Sequence, residues 1–213
     1  MSKMRAPKPH ADRRAGGRGK SRRLLILCED TNSGFSYLDD LVRAEKLSGV
    51  KVQPPRKPYT DPLSIVRQVR DVQGRRDFDE VCAVFDGDCI LRGGAEKNRF
   101  DQAIAQAQTE PAIEVYVSVP CIEFWFILHQ GLTDASFSNC DEACQRFGQQ
   151  VGMVYQKSNP KVFDLLKKHY PNGQSQAIRN AQLLREQQQK IRFSSPSTEI
   201  DRLISRLETF PIQ

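Results

Sequence analysis

The chain has 213 residues, 38% hydrophobic and 27% charged, with a formal net charge of +6. These proportions describe an ordinary globular protein, long enough for one domain with elaborations. No apolar run approaches a membrane span and no hydrophobic signal-peptide core opens the chain, so a cytoplasmic protein without membrane contact is expected.

Residues 1–23 hold nine basic residues and one acid, a balance of +8, which leaves about −2 for residues 24–213. The stretch 1–21 therefore reads as a disordered basic tail, either a phosphate-binding arm or a solubilising extension. Residues 24–28 (Leu-Leu-Ile-Leu-Cys) form an apolar strand ending on Glu29 and Asp30. A polar turn, 31–34, leads into an amphipathic helix carrying Phe35, Leu38, Leu41 and Val42. Residues 50–53 suit a short strand. Asp61 caps and Pro62 opens a helix with Leu63, Val66 and Val69 that ends at Gly74.

The run 81–85 (Val-Cys-Ala-Val-Phe) is apolar throughout, as a central parallel strand must be, and it leads into Asp86-Gly87-Asp88. If the strand continued through them, both carboxylates would face one side. Residues 96–108 read as a helix and 112–119 as a third buried strand. Pro120 is expected in the first turn of the following helix, and Glu123 with it. Trp125 and His129, one turn apart, read as an aromatic core stripe with a half-buried histidine. Beyond residue 133 the pattern is helical, over 137–148, 161–169, 175–191 and 196–208, the last with Ser195 as N-cap and Pro196 in its first position.

This alternation predicts an α/β fold, an open, mostly parallel sheet flanked by helices. It divides into the tail (1–21), an α/β core (22–132) and a helical elaboration packed on that core (133–213). Parallel strands present functional side chains at their carboxyl ends. Glu29, Asp86 and Asp88 all stand there, three hard oxygen donors of the kind Mg²⁺ takes together with water and phosphate. Like charges crowded together call for a cation or raise a pKa. Glu123 is placed to face the same crevice, although an acid in a first helical turn is also an ordinary choice. Tyr155, Lys157, Lys161 and Arg179 could line a nucleic-acid groove, but scattered cations on exposed helices are more often only solvated. The six cysteines form no CxxC pair and read as reduced thiols. Cys140 and Cys144, one helical turn apart, could ligate a metal, yet packing is favoured because no second pair accompanies them.

The strand ending in Cys28-Glu29, the later Phe85-Asp86-Gly87-Asp88 and the segment Pro120-Cys121-Ile122-Glu123-Phe124-Trp125 resemble RloB-like proteins, which are similar to AbiL-type abortive-infection effectors. The likeness runs in motif order from about 22 to about 207, through Asn159-Pro160-Lys161 and Ser195-Pro196-Ser197-Thr198. It implies a Toprim-type core in which Glu29, Asp86 and Asp88 hold Mg²⁺, or Mn²⁺, with Glu123 nearby. It also implies a nuclease acting on DNA or RNA, tRNA included, in phage defence beside a companion AAA- or ABC-type ATPase. The first motif departs from the family's Cys-Glu-Gly and Thr-Glu. Here Asp30 follows Glu29, and Gly34 stands where a second acid is expected. That departure leaves a second expectation, a catalytically weakened nucleic-acid- or metal-binding subunit of a defence complex.

Overall fold

The computed structural model describes residues 22–57, 61–75, 77–110, 113–158, 161–189 and 191–210. The basic tail, Ala112, Asn159 and Pro160 lie outside them. In chain order the elements are β1 (Leu24–Cys28), α1 (Ser33–Ala44), β2 (Val50–Gln53), α2 (Pro62–Gly74), β3 (Glu80–Asp86), α3 (Asp88–Arg92), α4 (Gly94–Gln108) and β4 (Ile113–Val119). There follow α5 (Glu123–Ile127), α6 (Cys140–Val151), α7 (Val162–His169), α8 (Gly173–Gln187), β5 (Ser197–Thr198) and α9 (Ile200–Glu208).

The strands form one five-stranded sheet in the order β2-β1-β3-β4-β5. All neighbours run parallel except the short β5, which pairs antiparallel with β4. The three strands expected to be parallel neighbours are so: Leu24 lies opposite Glu80, and Val81 opposite Ile113. β1 and β3 are apolar on both faces because both faces are covered. Leu24, Ile26, Cys28, Cys82 and Val84 pack on one face against α1 and α5 to α9. Leu25, Leu27, Val81, Ala83 and Phe85 pack on the other against α2, α3 and α4.

Local chemistry sets several of these boundaries. Asp61 caps α2 by accepting the Ser64 N–H at 3.3 Å, with Pro62 in the first turn. Asn139 likewise caps α6, accepting from the Glu142 N–H at 3.0 Å, so that helix begins at Cys140 rather than 137.

Two prolines do not open helices as expected. The Pro120 carbonyl, with that of Ser118, accepts the Gly87 N–H, and α5 begins only at Glu123. Pro196 precedes β5, because Ser197 and Thr198 pair with Val119 and Ser118 at the open edge of β4. The Ser118 and Thr198 hydroxyls stand 2.8 Å apart, and the Glu199 N–H donates to the Val117 carbonyl. Satisfying the β4 backbone outweighs one more helical turn, and α9 starts at Ile200.

His129 is buried, at 5% exposure, rather than half-buried. Its ring meets those of Trp125 and Tyr37 edge-on, and Nδ1 lies 3.0 Å from the Trp125 carbonyl. Burial lowers its pKa to about 4, which fits a neutral core residue.

Candidate functional site

The site forms at the carboxyl ends of β1, β3 and β4, and strand parity decides where each acid goes. Cys28 belongs to the face covered by α1, so Glu29, the next residue, turns to the opposite face and Asp30 turns back. Phe85 faces α4, so Asp86 turns toward α1 and α5. Glu29 and Asp86 thus lie on opposite faces, and they meet only at the edge, where Glu29 Oε2 accepts the Asp86 N–H at 3.3 Å.

The two aspartates of Asp86-Gly87-Asp88 do not share a strand face as expected. The strand stops at Asp86, and Asp88 begins α3. Gly87 makes that turn against β4, and a Cβ on it would stand 2.7 Å from Val119 Cγ2 and 3.1 Å from the Ser118 carbonyl oxygen. The turn carries Asp88 back to the side of Glu29.

Glu29, Asp86 and Asp88 line one cavity of about 260 Å³ with Asp61, Glu96, Arg92 and Arg99. Arg92 bridges Asp88 at 2.6 Å and Glu96 at 2.5 Å. Glu29 has no ion pair among the described residues. Burial, with the charges of Asp86, Asp88 and Asp61, raises its carboxyl well above the usual range, against the opposing Asp86 N–H bond.

On the far side of Asp86 lies a second, more buried group. Lys157, in the chain between α6 and α7, places Nζ 3.0 Å from Asp86, 3.4 Å from Glu123 and 4.0 Å from Asp30. Glu123 is wholly buried and takes the Ser33 hydroxyl at 2.6 Å and the Tyr155 hydroxyl at 3.1 Å on one oxygen. Asp30 accepts the Gly34 N–H at 2.8 Å and the Asn32 N–H at 2.9 Å, which holds the turn into α1. Asp86 also accepts the Ile122 N–H at 3.0 Å, tying β3 to the start of α5. Burial raises the Asp86 carboxyl and Lys157 opposes it, while Glu123 and Asp30 add to the rise. Desolvation works against the charge on Lys157, but its three carboxylates outweigh it and raise its pKa.

Lys157 therefore points inward at carboxylates, whereas Lys161 and Arg179 are exposed, at the start of α7 and on α8. Sequence reasoning had no means of pairing Lys157 with Asp86, 71 positions away. It also missed Asp61, Arg92 and Arg99 as cavity residues. The Asp88-Arg92-Glu96 spacing of four was the available signal for Arg92.

The cysteines depart from the expectation of free thiols. Cys121 and Cys140 form a disulfide, while Cys28, Cys82, Cys89 and Cys144 are free. Cys121 follows the β4 turn and Cys140 opens α6, so helix packing rather than spacing brings them together.

The donor set suits Mg²⁺: hard carboxylate oxygens converge on a cavity large enough for a hydrated ion, and Glu29 lacks a cation. Their oxygens do not all lie within 4.8 Å of one another, so a shared ion would reach some of them through waters of its own shell.

The family described as RloB-like protein matches residues 24–207. No curated protein and no solved structure matches the chain. Among the described residues no helix is long and apolar enough to cross a membrane.

Proposed function

The chain belongs to the RloB-like family, and on that premise we propose that it is a Toprim-type nuclease, dependent on Mg²⁺ or Mn²⁺, that cleaves nucleic-acid phosphodiester bonds in phage defence. One observation carries this reading: Glu29, Asp86 and Asp88, from the ends of adjacent parallel strands, line a single cavity. A divalent cation held there by these three carboxylates would polarise a phosphate oxygen and a water. Glu29, whose carboxyl is raised by burial, is either one of the ligands or the group that takes the proton of an attacking water. Lys157 fixes the Asp86 carboxylate from behind, and Arg99 offers the cavity a cation for a phosphate. Glu123 holds Lys157 in place with Ser33 and Tyr155 rather than facing the cavity. The substrate is DNA or RNA, with tRNA among the candidates. Lys161, Arg179 and the tail are the cations that would meet its backbone, and a companion AAA- or ABC-type ATPase would restrain the activity in the cytoplasm.

A specific observation favours a second reading, a binding subunit without cleavage. Asp86 and Asp88 already hold Lys157 and Arg92, which supply the positive charge a metal would bring. Incubating the full chain with plasmid, single-stranded DNA and total tRNA, with Mg²⁺ or Mn²⁺, decides between them. Cleavage that disappears in Asp86→Ala supports the nuclease. Tight binding without cleavage under both metals supports the subunit.

A further inference from the structure

The acid cavity already holds a cation of its own. Arg92, the last residue of α3, lines it with a side chain that is 54% exposed. Its Nη1 donates to Asp88 Oδ2 at 2.6 Å, while Nη2 and Nε donate to one Glu96 oxygen at 2.5 and 3.2 Å. One guanidinium thus joins an acid assigned to the metal to an acid that is not, and Glu96 is 65% exposed. The other Asp88 oxygen accepts no hydrogen bond among the described residues, so a cation can reach it with Arg92 still in place. Gly93 and Gly94, with φ of +72° and +71°, separate α3 from α4, and a Cβ added to either would meet nothing within 4 Å. The Arg92–Glu96 pair therefore spans a junction that no packed side chain holds.

We infer that Arg92 is a stored phosphate ligand: it neutralises Asp88 until a divalent cation takes that carboxylate, and it then turns to the nucleic-acid backbone. The inference rests on the metal-dependent nuclease reading and names the regulation of that same cavity, in which metal binding licenses substrate binding. A divalent cation and a guanidinium on one carboxylate repel each other, and the divalent ion carries the larger charge. Arg92 is the partner that yields, because exposed ion pairs hold it weakly and Glu96 keeps it from being stranded. It cannot yield by losing its proton, since a guanidinium stays charged throughout the neutral range, so it must move. What it then offers is a planar fork of donors that fits two phosphate oxygens. Arg99 of α4 lines the same cavity, so a phosphate there meets a cation from each helix. The same movement is closed to Lys157, whose three carboxylates are only 0–18% exposed.

Two affinities of the full-length protein test this, and neither needs turnover. Mn²⁺ binding is read by electron paramagnetic resonance. Nucleic-acid binding is read by filter retention of single-stranded DNA and total tRNA, with and without Ca²⁺, the probes checked intact on gels. Arg92→Ala should bind Mn²⁺ more tightly than wild type, by up to about fivefold, the worth of an exposed ion pair. It should bind nucleic acid about tenfold more weakly with Ca²⁺, for the lost charged hydrogen bonds, and equally well without it. Arg92→Lys should keep the wild-type Mn²⁺ affinity and recover part of the Ca²⁺-dependent binding. Lys97→Ala, which breaks the neighbouring Lys97–Asp101 pair, should match wild type in both. Equal or weaker Mn²⁺ binding by Arg92→Ala overturns the inference and leaves the metal site standing. Nucleic-acid affinity that falls equally with and without Ca²⁺, or in neither, overturns it too. No Mn²⁺ on either protein removes the nuclease reading and this inference together.

Discussion

At the scale of single residues, Glu29 and Asp86 differ in what opposes their charge. Asp86 holds Lys157, so removing its charge also strands a cation that retains only Glu123 and Asp30. Glu29 is partly buried beside three acids, has no ion pair among the described residues, and has its pKa raised. The folded state therefore binds this proton more tightly than the unfolded chain does. Stability falls as pH rises from the ordinary carboxylate range through the folded value. Glu29→Gln removes that loss. Without metal it should melt higher than wild type at pH 8 by about 1 kcal/mol, the usual size of one relieved charge. The gap should close toward pH 4 in thermal melts across the range. It should also abolish divalent-dependent cleavage. A variant that is no more stable at pH 8 means that another cation already neutralises Glu29.

Among the elements, the turn from β3 into α3 decides the site. Gly87 is needed there for close approach, since its φ of −104° lies outside the left-handed region. An added Cβ would meet a side chain and a carbonyl of β4. Gly87→Ala should cost about 1–3 kcal/mol, the range for overpacking a filled site, and weaken metal binding by separating Asp86 from Asp88. Gly74→Ala, where an added Cβ meets nothing within 4 Å, should be neutral or stabilising by up to about 1 kcal/mol. Paired urea melts check both. The same turn shows why the motif was legible and its geometry was not. Asp-Gly-Asp after an apolar run announces a strand end with two acids. Which way each acid points depends on a hydrogen bond from Gly87 to residues 118 and 120, more than 30 positions away. Pro196 teaches the same lesson, since its helix-opening position yields to pairing with β4.

For the whole molecule, charge is carried at the start of the sequence while the acids sit at the sheet edge. Deleting residues 1–21 removes seven basic residues and one acid and ends before β1. If the tail serves as a phosphate-binding arm, nucleic-acid affinity at low salt should fall. The slope of log affinity against log salt should flatten by up to about five units on duplex DNA if every net charge contacts a phosphate. Cleavage at saturating substrate should persist, because Glu29, Asp86 and Asp88 lie beyond the deletion. Filter-binding titrations across ionic strength measure this, and an unchanged slope assigns the tail to solubility alone.

The alternation of apolar strands with amphipathic helices determined the parallel sheet, and the family motifs followed the same order. Those signals are local, repeating every two residues in a strand and every three or four in a helix. The acids at the ends of β1 and β3 were equally local, because a buried strand must stop where its side chains become charged. Tertiary structure alone decided what those acids meet. Parity and register put Glu29 and Asp86 on opposite faces, and helix packing brought Lys157 to Asp86 and Cys121 to Cys140. Pairings across 71 and 19 positions depend on how layers settle against the sheet, and no short-range pattern in the chain encodes them.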